Sequence, residues 1–368
     1  MVPPLYRGRL VTGPKKPIRN FEEFRDALTA YRLPGVIIAG LELELFTKLG
    51  DKTWTIPELA KVLHVSERGV AILCRNLAMA GLLIKKGGTY RNSRLAATAL
   101  NANHPAYRGS YLDLVKNHWA DWARLTESVR TGLPLDHDVP EEPDYRRRFT
   151  WAMHHRTLDV APKIASQLSL HGVKTLLDLG SGPGTFAMAF LAKNPSLRAT
   201  LCDRPDALEV AREIAATHKA GHRLSYLSLD LMKDEIPGTF DVVWYSNVLH
   251  IYSPEENQGL FKRVRSVLNP GGRLIIQDAF LHDREGLFPE EASLFSVSML
   301  LFTDTGNTYS VAETSEWLKQ AGFTAIRRLP IKKGSEDWEG GILEGRVPVE
   351  DARRNDRRTG STKSSRTR

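Results

Sequence analysis

The stretch Leu176–Thr185, LLDLGSGPGT, passes from an apolar run with one acid into three glycines spaced one apart, at Gly180, Gly182 and Gly184. A run of this kind reads as a buried strand that opens into a tight loop ahead of a helix, the place where nucleotide-binding sheets meet their ligand. The spacing narrows the choice of nucleotide. A dinucleotide loop is written G-x-G-x-x-G, with the third glycine letting helix and strand approach, and here that place is taken by Thr185. No Lys-Ser or Lys-Thr follows, so a phosphate-cradling Walker loop is excluded.

What strengthens the glycine loop is an acid at the end of each following strand. Asp203 lies 23 residues after Gly180, at the end of the next apolar run, where a carboxylate accepts from both ribose hydroxyls. Asp230 closes the third strand, at a place suited to the exocyclic amine of adenine, and Asp178 closes the first, where it can hold the loop or meet an ammonium group. Taken singly, each acid reads as a helix cap or a turn former. Together, three acids around one adenosine repel a pyrophosphate and suit a cation, which points to S-adenosyl-L-methionine with its sulfonium and α-amino charges.

Outward from the loop, strands and helices alternate. KTLLDL, RATLCD, LSYLSLD, FDVVWYSNV and, after the turn NPGG, RLIIQDAF read as strands; TFAMAFLAKN, ALEVAREIAATH and PEENQGLFKRVRSVL read as helices. Near-continuous apolar strands alternating with helices predict an α/β fold with a doubly wound, mostly parallel, Rossmann-like sheet, and a ligand at the carboxyl ends of its strands. Upstream, FEEFRDALTAYRLPGVIIAGLELELFTKLG reads as helices broken near Pro34 and closed by Gly50. Thr55 and Ser66 then cap two helices, and LLIKKGGTYRNS turns as a hairpin at Gly87 and Gly88. Helix, helix, hairpin is the winged-helix order. The helix placed to read DNA, however, offers only Arg68, Arg75 and Asn76 among apolar residues, where a recognition helix needs a polar face.

The net charge of +8 raises the same question about nucleic acid. Residues 1–20 carry five basic and no acidic side chains and residues 351–368 carry seven basic and two acidic, so each tail holds +5 and the body between them −2. Basicity confined to tails does not make a nucleic-acid surface, and the C-terminal tail, without an apolar side chain from Arg353 on, reads as disordered. The hydrophobic content of 42% suffices for an ordinary core, and no apolar run approaches the roughly 18 residues of a membrane span. With no signal-like leader, the expected location is the cytoplasm, with no membrane partner. Cys74 and Cys202 are far apart and suggest neither a disulfide framework nor a zinc site.

The pieces FTWAMHH, APKIASQL, LLDLGSGPGTFAMAF, CDRPDALEVAR, FDVVWYSNVLHIYSPEEN, NPGGRLIIQDAF and YSVAETSEWLKQAGF, in this order, resemble the class I S-adenosylmethionine-dependent O-methyltransferases of the caffeic acid O-methyltransferase type and their bacterial relatives of secondary metabolism. The resemblance implies an N-terminal winged-helix domain that forms a homodimer. It implies a methyl transfer to a hydroxyl, phenolic by preference, of a small aromatic metabolite, leaving S-adenosyl-L-homocysteine, with no metal. Carried over by position, it sets the cofactor against Gly180, Asp203, Asp230, Leu231 and Ser246, with His250 as general base and Asp278 as its acidic helper; Asp178, Gly182 and Arg204, the last where an apolar residue is common, are expected at the cofactor beside them. Ile251 and Thr308 stand where many relatives carry acids. The implied pocket wall is Phe149, Trp151, Met153 and His154 on one helix, and Phe295, Met299 and Phe302 at i, i+4, i+7 on another.

The expected organisation is a basic leader at 1–20, a winged-helix dimerisation domain at 21–105, a helical linker with pocket helices at 106–170, the catalytic domain at 171–348 and the basic tail at 349–368. His250 read alone would cap the following helix, and apolar residues at helical spacing would be plain core. The same fold also supports N- or C-methylation, or cofactor-assisted hydroxylation or decarboxylation, and the N-terminal module leaves open a DNA-binding regulator that senses the cofactor.

Overall fold

The computed structural model describes residues 17–135, 143–282, 285–330 and 341–349; the expected leader and tail fall outside these apart from residues 17–20 and 349, as do residues 136–142 of the expected linker. The chain divides into two compact units after Ala120.

The first unit opens with α1 (Phe21–Leu28), α2 (Arg32–Glu42), α3 (Leu45–Leu49), the short strand β1 (Trp54–Thr55), α4 (Ile56–Leu63) and α5 (Glu67–Met79). Strands β2 (Leu83–Lys86) and β3 (Thr89–Asn92) and helices α6 (Arg94–Ala99) and α7 (Gly109–Ala123) follow, α7 crossing the division. Its caps are those the sequence signals: the Thr55 amide donates to Glu58 Oε2 at 2.7 Å, and the Gly69 amide to Ser66 Oγ at 3.0 Å. The hairpin turns at Gly87 and Gly88, and β3 lies between β1 and β2, antiparallel to both. The first helical break falls at Thr29–Tyr31, and Pro34 sits in the opening turn of α2, where its missing N–H costs no hydrogen bond. Helix α1 buries no residue and leaves Phe21, Phe24 and Leu28 exposed.

The second unit begins with α8 (Leu125–Thr131), α9 (Pro143–Thr157) and α10 (Ala161–Gln167), then enters β4 (Thr175–Leu179), α11 (Thr185–Lys193), β5 (Arg198–Asp203), α12 (Pro205–Ala216), β6 (Leu224–Ser228) and β7 (Phe240–Ser246). It closes with α13 (Pro254–Ser266), β8 (Leu268–Gln277), α14 (Glu290–Phe302), α15 (Val311–Gln320), β9 (Thr324–Leu329) and β10 (Ile342–Arg346). Its seven-stranded sheet runs β6-β5-β4-β7-β8-β10-β9. The first five strands are parallel, and β10 lies antiparallel between β8 and β9.

Alternate residues of the central strands feed two cores, as a period of two requires. Leu176, Trp244 and Ile275 pack with Ile164, Phe190 and Leu208 from α10, α11 and α12, while Leu177, Tyr245 and Ile276 pack with Phe261 and Leu318 from α13 and α15. The sheet is thus wound on both faces. Strand order reverses between β4 and β7, the switch point where such sheets bind ligands. NPGG stands as the break expected ahead of the last parallel strand: one pair, Leu268 with Phe240, precedes it, regular pairing starts at Arg273 opposite Val242, and Asn269–Gly272 form the irregularity between them, with Gly271 at φ +76°. The Asn269 amide group holds this stretch by donating to Asp241 Oδ1 at 2.8 Å.

Candidate active site

The glycine loop leaves β4 under tight constraint. Gly180 takes φ +72°, and a β-carbon there would come within 2.6 Å of Val248 Cγ2; at Gly184, φ +70°, it would come within 2.5 Å of Leu201 Cδ1. Only glycine fits either place. At Gly182, by contrast, a β-carbon would meet nothing within 4 Å, so the loop faces open space at its centre.

The three acids surround that loop in different states. The Gly182 amide donates to Asp203 Oδ2 at 2.6 Å and the Arg204 amide to Asp203 Oδ1 at 2.7 Å, so Asp203 secures the loop from the end of β5. Burial raises its pKa, against the pull of these two amides. Asp178, 3% exposed, is pushed well above the usual carboxylate range by burial, against a hydrogen bond from the Ala187 amide in the first turn of α11; the neighbouring Asp203 charge adds to the rise. Its Oδ2 has no hydrogen-bond partner, and neither has the buried Ser181 Oγ. Asp230 lies two residues past β6 rather than at its end. The Met232 amide holds its pKa down, against a smaller effect of burial, with help from Lys233 at 3.4 Å. Leu231 is buried beside Gly180, and Arg204 is the exposed N-cap of α12.

Across the switch point, Ser246 ends β7. Its hydroxyl donates to Gln277 Oε1 at 3.1 Å and accepts from Asn247 Nδ2 at 3.0 Å. Asn247 is left-handed at φ +57°, and this backbone turn sends the chain back through Val248 to a short helical turn, Leu249–Ile251. His250, 7% exposed, is the middle of that turn. Its Nδ1 lies 2.8 Å from Oδ1 of Asp278, which follows β8 and is 2% exposed. Paired with a carboxylate, Nδ1 carries the hydrogen and Nε2 is left as the basic nitrogen. The Ala279 amide also donates to Asp278 Oδ1, at 2.7 Å, and Oδ2 has no partner. Phe295 of α14 meets the imidazole edge to face, ring centroids 4.8 Å apart. Thr308, 5% exposed, has an unpartnered hydroxyl. The adjoining Asn307 amide donates to the His250 carbonyl at 2.9 Å.

The residues anticipated as a pocket wall separate. Phe295, Met299 and Phe302 do share α14, with Met299 buried. On α9, Trp151 packs with Met188, Val210, Ile214 and Ala215, which ties α9 to α11 and α12, and Phe149 is exposed and stacks on Tyr145. Met153 is half-buried. His154 Nδ1 lies 2.8 Å from the Thr185 hydroxyl in the first turn of α11. Asn247 and Gln277 are additions to the residues expected at the site, and Thr185 had entered only as the residue in place of a third loop glycine. Only Asn247 carried a signal, as a residue type that tolerates the left-handed region. Among the described residues no three His, Cys, Asp or Glu side chains are grouped as a metal site.

Residues 126–324, more than half of the chain, match the O-methyltransferase domain family. The chain belongs to that family. It is 30% identical over 310 residues to the 3-hydroxy-5-methyl-1-naphthoate 3-O-methyltransferase of Streptomyces sahachiroi, covering 82% of this chain and 89% of that enzyme. It is 31% identical over 306 residues to the tetracenomycin polyketide synthesis 8-O-methyl transferase TcmO of Streptomyces glaucescens, covering 80% and 89%. Among solved structures, human N-acetylserotonin methyltransferase in complex with S-adenosylmethionine superposes with a TM-score of 0.77 at 21% identity, over 91% of this chain and all of that one. The O-methyltransferase match spans α8 to the first residue of β9, and so takes in the glycine loop, the acids, His250 and Asp278.

Proposed function

We propose that the protein transfers a methyl group from S-adenosyl-L-methionine to a phenolic hydroxyl of a small aromatic metabolite, with His250 as general base. The observation that carries this reading is the His250–Asp278 pair, held at the carboxyl ends of β7 and β8 by a turn whose Val248 lies directly against Gly180 of the cofactor loop. The donor set suits the cofactor: a buried carboxyl oxygen and a buried hydroxyl without partners, on Asp178 and Ser181, belong to the loop and the strand that leads into it, and a cation brought there would favour the ionised form of Asp178 that burial disfavours. Asp178, Gly180 and Gly182 would hold its charged end, Asp203 the ribose, and Asp230, Leu231 and Ser246 the remainder, with Arg204 at the margin.

When bound, the cofactor supplies a methyl group on a positively charged sulfur that is its own leaving group. The chain supplies proton removal and alignment. A phenol has a pKa of about 10 and is mostly protonated near neutrality, so its oxygen becomes a strong nucleophile only as a base takes the proton. His250 Nε2 accepts that proton while Asp278, through Nδ1, fixes the ring and stabilises the charge that develops on it. Phe295, Met299 and Phe302 offer an apolar face to an aromatic ring. The relative named for a hydroxynaphthoate supports an acceptor with fused rings.

We read the first unit as the winged-helix dimerisation domain of a cytoplasmic homodimer, supported by the apolar side chains that α1 leaves uncovered. Two measurements test the enzyme reading. Calorimetry should give micromolar binding of S-adenosyl-L-methionine and none of NAD, and a panel of hydroxylated naphthoates and phenols should yield an O-methyl product that His250→Ala no longer makes. Binding of NAD alone, or full activity of His250→Ala, would overturn the proposal.

A further inference from the structure

The turn that carries His250 is held by a side chain that touches neither the imidazole nor Asp278. Asn257 lies in α13, is wholly buried, and points its amide back under the turn. Its Nδ2 donates to the carbonyls of Leu249, Tyr252 and Ser253 at 3.0, 3.1 and 3.0 Å. Two hydrogens are thus shared among three acceptors that flank His250 on both sides. The amide is itself fixed, because the Tyr245 hydroxyl, buried in β7, donates to Asn257 Oδ1 at 3.1 Å. A second hydroxyl, on Tyr309, donates to the Tyr252 carbonyl at 2.7 Å.

Backbone carbonyls in a buried turn must find donors, and a 3₁₀ turn this short supplies few of its own. Within the turn itself, the Ile251 amide takes the Val248 carbonyl; the Asn307 amide takes that of His250. Leu249 and Tyr252 are left to Asn257 and Tyr309. The turn therefore keeps its shape through donors lent from α13 and from the segment ahead of α15. Since the 2.8 Å contact of Nδ1 with Asp278 depends on where this backbone stands, the clamp governs the orientation of the ring.

We propose that Asn257, with Tyr309, is a positioning residue for His250: it sets the imidazole against Asp278 by holding the carbonyls of the turn. This rests on the reading of His250 as the base. The test uses the full chain with histidine labelled with nitrogen-15, S-adenosyl-L-homocysteine as the ligand, and one acceptor turned over by the parent protein. The parent should show a downfield, slowly exchanging Nδ1–H that vanishes in His250→Asn. In Asn257→Ala that resonance should broaden or disappear, and kcat should fall about 100-fold while acceptor KM and S-adenosyl-L-homocysteine affinity stay within about twofold, the signature of a misplaced group rather than a lost site. Tyr309→Phe, which removes one hydrogen bond and leaves the amide in place, should weaken the same resonance and lower kcat about fivefold. An unchanged resonance and kcat in both variants overturns the proposal, and so does a loss of ligand affinity in step with kcat. A parent that turns over no acceptor sinks the methyltransfer reading and leaves the resonance arm to decide the clamp.

Discussion

Asp278→Asn isolates what the carboxylate charge contributes at the site. Both His250 Nδ1 and the Ala279 amide address Oδ1, at 2.8 and 2.7 Å, while Oδ2 has no partner. An amide placed here must keep its oxygen toward the Ala279 N–H, so its NH₂ falls at the vacant Oδ2 position and His250 keeps its tautomer. The wrong tautomer, which in a catalytic triad can cost about 10⁴-fold, is thereby avoided. What remains is the exchange of a charged hydrogen bond, about 1.5–3 kcal/mol, for a neutral one of about 0.5–1.5 kcal/mol, felt as the ring takes up its proton. The difference of about 1–2 kcal/mol corresponds to a fall in kcat of about 5–30-fold. Steady-state formation of S-adenosyl-L-homocysteine measures it, with calorimetric affinity for S-adenosyl-L-methionine as the control and expected to be unchanged. A loss beyond about 10³-fold would show that the tautomer argument fails. No loss would show that Asp278 does not assist the base.

Gly184→Ala forces a β-carbon onto Leu201 at positive φ and should cost at least about 1–3 kcal/mol, read as a lowered Tm, whereas Gly182→Ala should cost about 1 kcal/mol of stability and most of the cofactor affinity, because its β-carbon enters the open centre of the loop. Asp178 has a folded pKa above its unfolded value, so the stability it contributes is complete below the ordinary aspartate value of 3.8 and is lost as pH rises through the folded pKa. Ligand-free Asp178→Asn should therefore melt higher than the parent at neutral pH and bind the cofactor more weakly, and thermal melts across pH 4–8 will decide it. Glu344, wholly buried, is the opposite case: burial would raise its pKa, but Arg273, Arg346 and Arg327 outweigh it and hold it down. Glu344→Gln should cost about 3 kcal/mol at neutral pH in denaturant titrations, and the difference from the parent should shrink as pH falls below 4.5 toward the folded pKa.

Local rules recover the parts of this molecule that are local. The glycine spacing, the acid ending β5, the caps at Thr55 and Ser66 and the Gly87–Gly88 hairpin each follow from residues a few positions apart, and each stands where those rules put it. Contacts made across the chain are less legible. The resemblance puts Trp151 in a pocket wall, yet which helix its face meets depends on how α9 lies against α11 and α12. The partnership of His154 with Thr185 joins positions 31 apart on separate helices, and no pattern in either helix encodes it. NPGG is legible as a break, while the single pair of Leu268 with Phe240 ahead of it is a contact across the chain that no local pattern encodes. His250 is intermediate, since its place after a strand is visible in the sequence and its 2.8 Å approach to Asp278 is not.

The antiparallel insertion of β10 bears on how the molecule is made. Among the described residues β9 pairs with β10 alone, and the Gly341 carbonyl ahead of β10 accepts from the Asp278 amide. As the chain emerges from the ribosome, β8 keeps an open edge, β9 has nothing to join, and the partner of His250 lacks part of its support until residues 342–346 are synthesised. The glycine loop belongs to strands made early, whereas the surroundings of the His250–Asp278 contact are completed only when this late strand enters between two older ones. A translation stall or a cut between β9 and β10 would leave exposed strand edges of the kind that seed aggregation.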